Sequence, residues 1–142
     1  MLEESMIRKY LRLYVQEILV FCLLISACSN ISSDAVDLEV DFSWEGMKAC
    51  GWGNPEIHIK GLPVNTKSLK VSMYDSVYLH DHGEVILDHD GSGIIPMGST
   101  KELQGPCPPD VPGSYEITVK ALDEKNVVIG IGSKKRYFPE DK

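Results

Sequence analysis

Histidine and cysteine, four of each, are the residues of this chain that carry the most chemistry. His80 and His82 stand two apart, which on a strand places both imidazoles on one face. Asp88-His89-Asp90 follows soon after. Imidazole and carboxylate together suit zinc or copper, so His80, His82 and His89 form one candidate metal set. The competing reading is turn chemistry. Asp81-His82-Gly83 and Asp88-His89-Asp90-Gly91 have the composition of a polar hairpin. Nucleophilic catalysis finds less support. The chain has no Gly-x-Ser-x-Gly elbow, nothing beside Ser72, Ser92 or Ser99 marks a nucleophile, and Glu45, Glu56 and Glu84 are scattered rather than paired. The sequence reads as a binding protein rather than an enzyme, with no cofactor implied.

Cys22 and Cys28 belong to the N-terminal segment. Ile18 to Ile25 is an unbroken apolar run of eight residues. A helix needs ~20 residues to cross a bilayer, whereas a signal-peptide core runs ~7–15. Arg8, Lys9 and Arg12 supply its positive flank, diluted by Glu3, Glu4 and Glu17. A start at Met6 instead of Met1 removes two of those acids. Ser26 and Ala27, both small, then lead directly into Cys28. Ile25-Ser26-Ala27-Cys28 resembles the lipobox of bacterial lipoproteins. That resemblance implies a diacylglyceryl thioether on Cys28, cleavage just before it, and acylation of the new amine. Ser29, in place of Asp, implies sorting to the outer membrane, facing the periplasm. Several acyl chains at ~0.8 kcal/mol per buried methylene would make release slow.

Cys50 and Cys107 remain, both in loops rich in Gly and Pro. In an oxidising compartment such a pair reads as a disulfide. Their separation of 57 residues makes the bridge worth about 4 kcal/mol in a chain-entropy treatment.

The elements that must position these groups are strands. Val36, Leu38, Val40, Phe42 and Trp44 alternate with Asp37, Glu39, Asp41 and Ser43, the period of two of a half-buried strand. Leu69, Val71 and Met73 alternate likewise, as do Tyr115, Ile117, Val119 and Ala121. Glu56 to Lys60, Glu84 to Leu87, Ser92 to Ile95 and Val127 to Ile131 are shorter pieces between turns. Gly46 to Pro55 and Gly105 to Pro112 are loops. No segment after Cys28 carries a helical stripe, so the mature architecture is all-β and mostly antiparallel. The divisions are a signal peptide over 1–27, forming a helix, a lipidated tether over 28–35, a β-domain over 36–138 and a polar tail over 139–142.

Charge narrows the partners. The chain carries 14 Lys and Arg against 21 Asp and Glu. Residues 1–27 hold three of each sign, so the mature charge stays at −7. Binding of nucleic acid requires clustered cations and is not expected. Nor is a polybasic grip on anionic lipid.

Several blocks between Phe42 and Asp123 carry a second resemblance. Asn54-Pro55-Glu56-Ile57 is similar to an SP-x-L/I motif. Gly61-Leu62-Pro63-Val64-Asn65-Thr66-Lys67-Ser68-Leu69 is similar to VPxGTKSL. Tyr74-Asp75 stands where a strand leads into Asp-Pro-Asp-Ala-Pro, and His80-Asp81-His82-Gly83 where a ligand-site His is expected. Gly105-Pro106-Cys107-Pro108-Pro109 matches GPxPP, and Tyr115 to Asp123 is similar to HxYxFxVxALD. In order and spacing the chain resembles the phosphatidylethanolamine-binding protein (PEBP) family, in its bacterial Raf kinase inhibitor-like branch. The resemblance implies a shortened two-sheet β-fold with a small anion pocket at one end. Asp75, His82, Pro108, Pro109 and Tyr115 would line it.

In that pocket His82 and Tyr115 are donors suited to an anion, and Asp75 would orient or protonate His82. The bland counterpart is that Asp75 caps a turn with His82 exposed beside it. Two departures weaken the site: Ser76-Val77 follow Asp75, and Gly113 stands where the family has a His. The expected function is non-enzymatic binding of a small anionic, phospholipid-headgroup-like ligand by a membrane-anchored envelope lipoprotein. An envelope adaptor that binds another protein through an edge strand is the alternative, and a His-rich metal-binding lipoprotein the second. Replacing Cys28 with Ala should release the protein from the membrane fraction or block its processing. Membrane retention of that variant with cleavage at the same bond would refute the anchor.

Overall fold

The computed structural model describes residues 30–109 and 112–139. The signal peptide, the choice of start and Cys28 lie outside the described residues. Among the described residues eight strands run in chain order: β1 (Ile31–Asp37), β2 (Glu39–Phe42), β3 (Ile57–Lys60), β4 (Ser68–Asp75), β5 (His80–Asp88), β6 (Ile94–Ile95), β7 (Gly113–Leu122) and β8 (Val128–Phe138). They form a five-stranded sheet in the order β1-β8-β7-β4-β5 and a three-stranded sheet in the order β2-β3-β6. All pairings are antiparallel except β1 with β8, which is parallel. The described part is all-β, as the alternating pattern predicts.

The two sheets close on the apolar faces their alternation creates. β4 turns Leu69, Val71 and Met73 inward, β7 turns Tyr115, Ile117, Val119 and Ala121 inward, and Val40, Phe42, Ile57, Ile59 and Ile95 meet them from the small sheet. Asn54 is the buried polar tie of this layer. Its side-chain amide donates to the Pro96 carbonyl at 2.9 Å, and its oxygen accepts from the Thr100 N–H and hydroxyl, each at 2.9 Å.

The structure departs from the sequence reading at the start of the domain. Residues 31–35 are not tether but most of β1, so the sheet begins at Ile31 rather than Val36. The continuous alternation from Val36 to Trp44 is also divided. β1 and β2 belong to different sheets, and Leu38 is the step between them, its N–H donating to the Ile131 carbonyl at 2.9 Å. The inward set begins only at Leu38: Val36, which the alternation places with Leu38, Val40, Phe42 and Trp44, is exposed at 41%, because β1 is an edge strand whose side chains do not alternate between core and solvent. β8 is likewise longer than Val127 to Ile131. Its second half, Ser133 to Phe138, lacks apolar alternation but completes the ladder with β7 as far as Gly113 opposite Phe138.

The crossing explains two glycines. Leu38 passes so close to β8 that a Cβ on Gly132 would lie 2.2 Å from the Leu38 carbonyl oxygen, and one on Gly130 would lie 3.0 Å from the Leu38 side chain. Gly132 must be bare for the chain to pass from one sheet to the other, whereas a side chain at Gly130 would need the Leu38 side chain to give by a few tenths of an ångström. Gly132→Val should therefore destabilise the domain by about 3 kcal/mol or more, at the upper end of overpacking costs. Ser133→Ala should stay within about 0.5 kcal/mol of wild type. Urea unfolding midpoints compare the two; equal midpoints would mean that the crossing is not tight.

Candidate functional site

Asp75 occupies the last inward position of β4, where the pattern Leu69-Val71-Met73 would place another apolar residue. It pairs across the sheet with Tyr115 of β7 on one side and His80 of β5 on the other. Asp75 and Tyr115 are almost wholly buried, at 2% and 0% exposure. One carboxylate oxygen of Asp75 accepts from the N–H groups of Val77 and Tyr78, at 2.8 and 3.1 Å, and so caps the β4–β5 turn.

The Tyr115 phenol lies between Asp75 and the proline loop. The Asp75 carboxylate lies near enough to act on it, and its oxygen accepts from the Cys107 N–H at 3.1 Å. Burial first, and then the adjacent Asp75 carboxylate, push the phenol up to about 12. At neutral pH Tyr115 is a hydrogen-bond donor, not a base.

His82 reaches the cluster by a local irregularity. In β5, Val85 and Leu87 are half-buried while Glu84, Ile86 and Asp88 are exposed. Strict alternation would place residue 82 with the exposed set. Between the pairs Ser72–Glu84 and Tyr74–Asp81, however, β4 has one residue and β5 has two. This is a β-bulge, and Gly83 takes its positive φ of 103°. The extra residue reverses the phase, and His82 turns inward to 5% exposure. Its Nδ1 bonds the Gln104 carbonyl at 3.0 Å. Its ring meets Tyr115 edge-on at 5.2 Å and His80 edge-on at 4.8 Å. Burial is the main influence on His82 and holds it below the ordinary imidazole value; His80 adds to this, while the Gln104 carbonyl and Asp75 oppose it.

Three of the five residues assigned to the pocket, Asp75, His82 and Tyr115, thus come together. Pro108, half-buried, and Pro109, exposed, follow Cys107 in the loop whose N–H holds the phenol. The role assigned to Asp75 changes. It caps its turn beside the Tyr115 phenol, while His82 is held by the backbone of Gln104. The bland alternative is half right, because Asp75 does cap a turn, but His82 is buried. The metal set does not assemble. His80 and His82 open β5 and His89 lies beyond its far end, ~24 Å along a strand from His82, and no group of three or more His, Cys, Asp or Glu among the described residues is placed to hold a metal.

Other partners had no sequence signal. Gln104 supplies its carbonyl to His82, and its side chain lies 3.4 Å from His80 Nε2. Trp44 and Phe138 enclose Tyr115, with centroids at 5.7 and 6.5 Å. The Trp44 indole N–H is buried with no acceptor among the described residues. Gly113 explains itself here. A Cβ at that position would lie 2.5 Å from Tyr115 Cε2 and from its hydroxyl oxygen, so the Tyr115 ring fills the space a side chain would need. The bridge Cys50–Cys107 is formed and anchors the loop that holds the phenol.

No protein-family model matches the chain, and no curated protein matches it. Among solved structures it is similar to the crystal structure of a candidate PEBP homolog from Chlamydia trachomatis. The likeness has a TM-score of 0.53 at 19% identity and covers 77% of this chain and all of the other. The fold is PEBP-like. The buried Asp75–Tyr115–His82 cluster is thus a feature of a PEBP-like domain that lies at one end of the larger sheet.

Burial of neutral His82 carries a pH signature. A depressed native pKa means that the unfolded chain binds the proton more readily. This contribution to stability is complete above the unfolded value of about 6.5 and is lost as pH falls from there through the depressed native value. Urea midpoints should therefore fall as the pH is lowered from 6.5, and His82→Gln should flatten that slope. An identical slope in the variant would assign it to other groups.

Proposed function

We propose that this protein is a lipid-anchored envelope protein whose PEBP-like domain binds a small anionic ligand of the phospholipid-headgroup type without transforming it. The observation that carries the reading is the inward-facing cluster of Asp75, His82 and Tyr115. Keeping an acid and an imidazole inside a domain of this size opposes stability, which makes them candidates for a functional site. The unmatched Trp44 N–H in the same aromatic cluster adds a donor that an acceptor-bearing ligand would satisfy. A phenol raised to about 12 supports a binding role over proton transfer.

The chemistry also sets the strength. Neutral His82 donates without charge, the Asp75 carboxylate repels an anion, and Tyr115 occupies the space above Gly113. Binding requires some displacement of these side chains and protonation of His82. The signal sequence and Cys28 support placement on the outer membrane, facing the periplasm. The adaptor alternative draws on the β4–β5 turn, which presents Val77 and Leu79 to solvent at 45% and 75% exposure beside the cluster.

Titration of phosphoethanolamine followed by NMR tests the ligand. Binding should be millimolar, about −4 kcal/mol, should tighten as pH falls below 6.5, and should weaken in His82→Ala. No shift at Tyr115 or His82 at high ligand concentration would leave the adaptor reading. Shifts unchanged in His82→Ala would place the ligand elsewhere.

A further inference from the structure

The start of β1 limits how the domain can stand on a membrane, an inference that rests on the lipid anchor at Cys28. Three peptide steps separate Cys28 from Ile31, at most about 11 Å of chain. The compact unit begins at Ile31, and β1 pairs with β8 from that residue, opposite Val128. Residues that would have served as tether are thus built into the sheet. The headgroup region of one leaflet is itself about 5–8 Å deep. A leash of this length does little more than clear it, so the end of the sheet at Ile31 must lie on the bilayer surface.

Register shows what else lies at that end. Val128 pairs with Leu122, Leu122 with Ser68, and Ser68 with Asp88. The Lys67 N–H donates to the Leu122 carbonyl at 2.7 Å, and the His89 N–H to the Lys67 carbonyl at 3.0 Å. The loop 61–67, the turn after β5 and the turn 123–127 therefore lie at the same end of the sheet as Ile31, with β1 and β5 as its two edges. Val64 is fully exposed in the first of these, beside half-buried Leu62 and Pro63. Lys67 and Lys125 are exposed nearby, and Asp88, Asp90 and Glu124 offset them. The surface is held by the short leash and an apolar loop, not by a basic patch.

Asp75 and Tyr115 lie seven residues further along β4 from Ser68, ~24 Å at the rise of an extended strand. We propose that the loop around Val64 rests on the membrane that holds Cys28, with the Asp75–His82–Tyr115 cluster at the far end facing away. Its ligand then comes from the aqueous side, as a soluble phosphate-like species, and not from the leaflet that carries the anchor.

Acylated full-length protein, reconstituted in vesicles of phosphatidylethanolamine and phosphatidylglycerol, tests this. Spin labels are placed on Val64→Cys and Leu79→Cys, the native bridge remaining oxidised. The label at 64 should be several-fold more accessible to oxygen dissolved in lipid than to a water-soluble nickel chelate, and the label at 79 the reverse. Insertion of about ten Gly/Ser residues between Asn30 and Ile31, which adds ~17 Å of reach, should expose the label at 64 to the chelate. Equal chelate access at both positions in acylated protein overturns the orientation and leaves the anchor standing. An N-terminal peptide whose mass lacks acyl groups overturns both.

Discussion

Tyr115 lies with its hydroxyl between the Asp75 carboxylate and the Cys107 N–H. Inside a domain these groups have no water to turn to, and an unmatched one costs about 1–3 kcal/mol. The phenol therefore holds the loop bridged to Cys50 and lies against the carboxylate that caps the β4–β5 turn. Its ring is equally constrained. Trp44, Phe138 and His82 surround it edge-on, and Gly113 leaves it room. A change at any of these places would be felt at the others, since Tyr115, Asp75, His82 and Trp44 are all buried against one another.

The same closeness decides the electrostatics. Desolvation disfavours a cation at His82 more strongly than Asp75 favours it, so the imidazole stays neutral near pH 7. The cluster holds one carboxylate and no fixed cation to balance it. A bound anion would shift that balance by stabilising protonated His82, which makes ligand affinity and proton uptake reciprocal. The loss of the His that the PEBP resemblance expects at Gly113 fits this picture. At that position the Tyr115 ring fills the space a side chain would need.

Away from the cluster, the fold depends on one tight passage. Leu38 carries the chain from the large sheet into the small one over two bare positions of β8, Gly130 and Gly132. Because β1 lies parallel to β8, the chain enters the sheet beside the β7–β8 turn, at the end opposite Asp75. Topology, not any local interaction, thus separates the start of β1 from the candidate site by the length of a strand.

The sequence by itself determined the all-β class, the inward sets of β4 and β7, the loops, the pairing of Cys50 with Cys107 and the strand positions of Asp75 and Tyr115. Those are local properties: side-chain period, turn residues and the redox chemistry of a loop pair. Only the tertiary structure decided the rest. The break at Leu38 is invisible in the alternation of residue types, yet it leaves Val36 exposed while Leu38, Val40 and Phe42 are buried. The inward turn of His82 comes from a bulge, one surplus residue defined only against the partner strand. The carbonyl of Gln104, the amide of Cys107 and the edges of Trp44 and Phe138 join the cluster through long-range contacts that no spacing encodes. His80 and His89 looked like near neighbours because nine residues of sequence are few, yet an extended strand carries them to opposite ends of the sheet.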